Sequence, residues 1–171
     1  AKKASAPSAK KYHTILTIKD LNLWAEKLKT AELISFDTET TSVDYMQAKL
    51  VGFSFAITTD EACYVPLAHD YENAPTQINF ADAISIIQPI LENKKIKKIG
   101  QNLKYDYEVL KNMGITLRGI VGDSMLESYI YNSTATRHDM DSLAHKYLHH
   151  TTIKFEDVAG KGAKQITFNQ V

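Results

Sequence analysis

The stretch Leu33–Thr40 reads LISFDTET, and its reading decides the fold. Leu, Ile and Phe mark it as a β-strand, yet two acids interrupt its second half. Successive strand side chains point to opposite faces, so Asp37 and Glu39 share one face while Phe36 and Thr38 share the other. Two carboxylates held about 4 Å apart repel by ~4 kcal/mol at an effective dielectric of about 20. Such a pair persists when it faces water, when its pKa values split, or when a cation sits between the two groups.

Working outward, residues 48–59 and 62–69 predict two more strands, separated by a Thr-Asp-Glu turn, which makes an antiparallel meander with 33–40. Upstream, 12–18 alternates as a strand and 19–30 follows as a helix. Asp20 is its expected N-cap, with Leu21, Trp24, Ala25 and Leu28 on one apolar stripe. Beyond a loop at 70–78, a helix is predicted from Asn79 to about Lys94, with a kink at Pro89. A strand at 95–100, a helix at 103–113 closed by Gly114, a strand at 119–121 and helices at 124–132 and 140–148 follow. The last twenty-odd residues read as loop with one helical turn. The class is therefore α/β or α+β, a mixed sheet with helices on both sides.

The second misfit is Asp106. Leu103, Asp106, Leu110 and Met113 fall on one helical stripe, while Lys104, Glu108 and Lys111 supply the solvent face. A third acid is thus aimed at the core or at a cleft beside the sheet. Hard divalent cations prefer such oxygen ligands, and a pair of them clamps a phosphodiester for in-line attack by water.

Composition narrows the classes. At 171 residues the chain fits one domain, and 44% apolar with 23% charged residues is an ordinary globular balance. Lys+Arg 20 against Asp+Glu 20 excludes a module that coats nucleic acid by net charge alone. The lone Cys63 excludes a disulfide scaffold and makes a reducing, cytoplasmic setting the default. The start, AKKASAPSAKK, lacks the apolar segment of a signal peptide, and no run is long enough to span a membrane. Residues 1–11 read as a flexible linker and 12–171 as the domain. The missing initiator Met and the abrupt ITFNQV ending suggest a piece of a longer polypeptide.

Other signals favour bland readings. His138–Asp139 is a loop feature. His145 and His149, at i and i+4, lie on a solvated helix face without the Glu of a zinc motif. Gly160–Lys164 lacks a phosphate-loop frame, so a solvated turn serves for Lys161 and Lys164 as well as a phosphate contact does. Lys94, Lys95, Lys97 and Lys98 read as a solvated strand entry, and Trp24 as core.

Taken together, FDTET at 36–40, GQNLKYD at 100–106 and RHDMDSLAHKYL at 137–148 closely resemble the 3′–5′ proofreading exonuclease domain of bacterial family A DNA polymerases, the DNA polymerase I type. The resemblance runs from about Tyr12 to Val171. It implies an RNase H-like fold with a mixed five-stranded sheet. It also implies that Asp37, Glu39 and Asp106 are catalytic and bind two divalent ions, Mg²⁺ or Mn²⁺ with Zn²⁺ as a further candidate. Thr40, Val43, Gln101, Asn102, Tyr105, Arg137 and Phe155 match positions that contact the nucleic acid. Phe155 and Tyr105 suit stacking on bases, and Arg137 suits a phosphate. The expected partners are a single-stranded DNA 3′ end and the polymerase domain of the same parent chain, in a monomer. The family's third motif, Tyr-x-x-x-Asp, is absent, since no Tyr in the chain has Asp four residues on. These 171 residues are therefore expected to be weak or inactive alone. Two alternatives stand beside this: an RNase D-like exoribonuclease, and a non-catalytic structural or single-strand-binding module.

Overall fold

A computed structural model describes residues 10–134 and 137–171. Most of the expected linker lies outside the described residues, and Lys11 already belongs to the first strand. The elements in order are β1 (Lys11–Thr14), α1 (Ile18–Thr30), β2 (Leu33–Thr40), β3 (Leu50–Ala56), β4 (Glu61–Pro66), α2 (Phe80–Glu92), β5 (Lys97–Gly100), α3 (Leu103–Asn112), β6 (Ile120–Asp123), α4 (Ser124–Tyr131), α5 (Met140–Leu148) and α6 (Phe155–Ala159). Two 3₁₀ turns follow, at Gly162–Lys164 and Phe168–Gln170.

One mixed sheet has the order β1-β4-β3-β2-β5-β6. The predicted meander is present, with β3 antiparallel to both β2 and β4. The pairs β1–β4, β2–β5 and β5–β6 are parallel. The sheet has six strands, where the resemblance implied five, and it includes both β1 and β6 at its edges.

One face of the sheet builds the core. Phe36, Phe53 and Phe55 lie with ring centroids 5.6–6.1 Å apart. Leu21, Trp24 and Leu28 of α1 and Ile87 and Leu91 of α2 close over this layer. The opposite face of β2 carries Ser35, Asp37 and Glu39, which leaves the acids on the less apolar side.

Three local expectations differ. Helix α1 is capped by Thr17, not Asp20: the Thr17 hydroxyl accepts from the Asp20 N–H at 3.1 Å and donates to Asp20 Oδ2 at 2.7 Å. The two residues act as a reciprocal cap, with the acid in the first turn. Lys98 is not solvated. It is 0% exposed, because β5 lies inside the sheet, and its Nζ donates to the carbonyls of Asn93 and Ile96 at 3.1 and 2.9 Å. Burial pulls its pKa down to about 8. The region after 150 is more structured than expected, with α6 and two 3₁₀ turns. Gly114 closes α3 at φ +78°, the left-handed backbone predicted for it. Trp24 is buried, and His145 and His149 are exposed, as expected.

Candidate active site and nucleic-acid groove

The end of β5 creates the site. The β2–β5 ladder runs from Leu33↔Lys97 to Ser35↔Ile99 and stops, while β2 continues to Thr40. Backbone groups of β2 beyond that point have no strand partner on this side and need another. Asp106, in the first turn of α3, supplies it. Its Oδ1 accepts from the Thr38 N–H at 2.8 Å and from Thr38 Oγ1 at 2.6 Å. Asp106 is 2% exposed, so the acid that broke the helical stripe does point inward. It meets β2 at the residue between Asp37 and Glu39.

The three acids sense one another. Burial, then the charge of Asp106, then that of Glu39 push the Asp37 pKa up to about 8. Burial and Asp106 push Glu39 up to about 7. Burial also raises Asp106, while its bonds from Thr38 oppose the rise. None of the ion pairs among the described residues involves these three acids. The three carboxyl groups are thus crowded together, one buried and two half-buried, outside those ion pairs. In chemistry this donor set fits a hard divalent cation. Among the described residues, no three His, Cys, Asp or Glu form a ready-made metal cage. Asp37 opens on a cavity of ≈ 240 Å³ with Gln101, Ser124 and Glu127, and Glu39 opens on a neighbouring groove.

That groove is about 700 Å³ and gathers most of the predicted contact residues. Glu39, Thr40, Val43, Asn102, Tyr105 and Phe155 all line it. The β2–β3 register shifts between Glu39 and Thr40, which re-aims the end of the strand. Thr40 Oγ1 donates to the Ser42 carbonyl at 3.0 Å and sits 2.5 Å from Tyr105 Oη, which also donates to that carbonyl. This network fixes Tyr105 against the loop after β2. Val43 is 96% exposed at the rim. Gln101 faces the smaller cavity and is held at both ends: Nε2 donates to the His138 carbonyl at 2.7 Å and Oε1 accepts from Ser124 Oγ at 2.5 Å. Arg137 does not line the groove. Its side chain is 90% exposed, with Asp139 at 3.6 Å.

Several residues here escaped the sequence reading. Phe168 stacks on Phe155 at 6.2 Å and 14°, and it adds Thr167 and Ile166 beside it to the groove wall. Tyr64 lies over Gly52, the cross-strand partner of Glu39. A Cβ at Gly52 would come within 2.4 Å of Tyr64 Oη. His69 Nε2 holds that hydroxyl at 2.7 Å. Burial, with the charge of Glu39, raises the Tyr64 pKa. No local pattern announces either aromatic.

A profile of the 3′–5′ exonuclease family matches residues 12–171. DNA polymerase I of Pseudomonas aeruginosa is 55% identical over 162 residues, which cover 94% of this chain and 18% of that protein. The chain thus spans under a fifth of that relative's length. Among solved structures, RNase D of Trypanosoma brucei superposes with a TM-score of 0.67 at 15% identity, over 86% of this chain and 50% of that one. NrnC of Brucella melitensis, solved with bound Mg²⁺, gives 0.59 at 14% identity, over 86% and 65%. These two likenesses show the shared RNase H-like fold. No helix among the described residues is long and apolar enough to cross a membrane.

Proposed function

The chain belongs to the 3′–5′ exonuclease family found in DNA polymerase I, and from that premise we propose that it trims the 3′ end of single-stranded DNA for a polymerase in the same parent chain. The reaction is hydrolysis: water adds to the terminal phosphorus, the bond to the 3′ oxygen breaks, and a nucleoside 5′-monophosphate leaves. The observation that carries the proposal is the set of three mutually repelling carboxyl groups beside the end of β5, outside the ion pairs of the described residues and next to a groove lined by aromatic and amide side chains.

Asp37, Glu39 and Asp106 are the residues that would hold two Mg²⁺ or Mn²⁺ ions. Bound there, the ions would supply Lewis acidity for the attacking water and the leaving oxygen. Phe155 and Tyr105 offer faces for base stacking, and Asn102 and Thr40 offer polar contacts to the terminal nucleotide. Val43 offers an exposed apolar contact at the rim, and Gln101 braces the approach. Arg137, free in solvent apart from Asp139, reaches for a backbone phosphate. The molecule works as a cytoplasmic monomer.

No Tyr-x-x-x-Asp occurs in these residues, so a water-orienting Tyr and a fourth carboxylate are missing from the set. Slow cleavage by the 171 residues alone is expected. The test is release of 5′-mononucleotides from a 3′-labelled DNA oligonucleotide in Mn²⁺, compared with an RNA of the same sequence. Slow DNA cleavage that accelerates when a following Tyr-x-x-x-Asp segment is added supports the proposal. Preference for RNA by the extended protein would favour the RNase D-like reading. No cleavage by either form would favour a non-catalytic module.

A further inference from the structure

Helix α3 has an unusual start. Asn102 occupies its N-cap with left-handed backbone, φ 57° and ψ 44°, and its side chain makes no cap bond. Asn is a good N-cap residue, yet here its amide lines the groove instead. The orphan N–H groups are met from another strand. Asp123 ends β6, paired with Gly100 at the end of β5, so its carboxylate stands beside the first turn of α3. Its Oδ1 accepts from Asn102 N at 3.0 Å and its Oδ2 from Leu103 N at 2.8 Å. The same Oδ1 accepts from Met125 N at 3.0 Å and Leu126 N at 3.3 Å, the first turn of α4. One side chain, 9% exposed, therefore caps two helices at once.

We propose that Asp123 is a positioning residue for the nuclease site: by capping α3 from β6 it holds Asp106 against Thr38 and leaves the Asn102 amide free for the nucleic acid. The proposal rests on the nuclease reading for what Asp106 and Asn102 do. Asp106 lies in the turn that Asp123 closes, four residues after Asn102. A helix start whose first N–H groups lose their acceptor frays at that turn. Fraying there would break both bonds from Thr38 to Asp106, on a strand to which Asp123 itself has no hydrogen bond. An acid on the solvated side of α3 would not need such control. An acid that must sit within ångströms of two others does.

Amide hydrogen exchange in the 171-residue chain, without metal or DNA, tests the capping role separately from catalysis. Asp123→Asn is expected to speed exchange at Thr38 N–H by about tenfold relative to the amides of the β2–β3 ladder. Leu28→Ala, a core change in α1, should speed both sets together and leave that ratio unchanged. A ratio within twofold of wild type in Asp123→Asn overturns the proposal. Should that variant not fold, Asn102→Gly decides. Glycine suits the left-handed backbone, so the Thr38 ratio should stay the same while affinity for a short oligothymidylate falls several-fold. Faster Thr38 exchange in Asn102→Gly would mean that Asn102 holds the helix start, and would overturn the proposal. If neither this chain nor its form extended by a Tyr-x-x-x-Asp segment binds or cleaves an oligonucleotide, the nuclease reading fails while the exchange ratio still reports the cap.

Discussion

Residues 10–123 and residues 124–171 are built differently. Nearly all the core side chains belong to the first part, and Leu117 is the last member of the main core cluster. In the second part only Ala144 and Ala159 are buried apolar residues among those described, and α4 buries none. Yet the second part brings Phe155 and Phe168 to the groove, and the His138 carbonyl that braces Gln101. The three acids stand on a close-packed frame. The frame also carries Thr40, Asn102 and Tyr105 on one side of the groove, while Phe155 and Phe168 on the other side stand on a wall tied mainly by stacked rings and hydrogen bonds. Chemistry that needs sub-ångström placement sits on the frame alone, and the surface that must accept a flexible ligand is shared between frame and wall.

The sharpest contrast is in stability. Phe36→Ala removes the centre of the aromatic layer and should cost ~3–5 kcal/mol in denaturant unfolding. Ile130→Ala, on exposed α4, should stay within ~0.5 kcal/mol. Equal losses would erase the distinction between frame and wall. In activity, Asp37→Ala or Asp106→Ala should lower Mn²⁺-dependent cleavage roughly 10²–10³-fold, through loss of several kcal/mol of charge stabilisation. Kinetics near wild type would remove the acids from the reaction.

pH separates the two parts as well. The folded protein holds protons on Asp37 and Glu39 up to about 8 and 7, where the unfolded carboxyls, at 3.8 and 4.5, have long released them. Stability from these protonated groups is complete below about pH 4 and is lost as pH climbs through 7 to 8. Without metal, the melting temperature should therefore fall across that window. Asp37→Asn should flatten the fall, and Mg²⁺ should raise the melting temperature more at pH 8 than at pH 5. A melting curve indifferent to pH and Mg²⁺ would leave the acids uncoupled. The smallest effect is expected at the wall. Phe155→Ala should weaken oligonucleotide binding by about 1–3 kcal/mol, the worth of one stacked base, with little change in melting temperature.

Much of the frame was legible because its signals are local. The alternation in LISFDTET set the faces of β2, and the failed helical stripe at Asp106 announced an inward acid. What was not legible depends on where strands end. Thr38 binds Asp106 only because β5 stops short, and Asp123 caps α3 only because β6 finishes beside it. Lys98 misled because its acceptors are backbone carbonyls, which no residue pattern reveals. On the wall, Phe155 came from the resemblance alone, and Phe168 sits in a tail without periodicity. Arg137 also came from the resemblance, and it stands in solvent outside the groove.

The central claim is that the three acids share cations. Titration of the chain with Mn²⁺, followed by paramagnetic broadening of its amide signals, tests it most directly. The account predicts that Asp37, Thr38, Glu39 and Asp106 broaden together at the same metal concentration, and that Asp37→Ala abolishes the effect at all four. Broadening scattered over surface carboxylates, with these four signals unchanged, would contradict it.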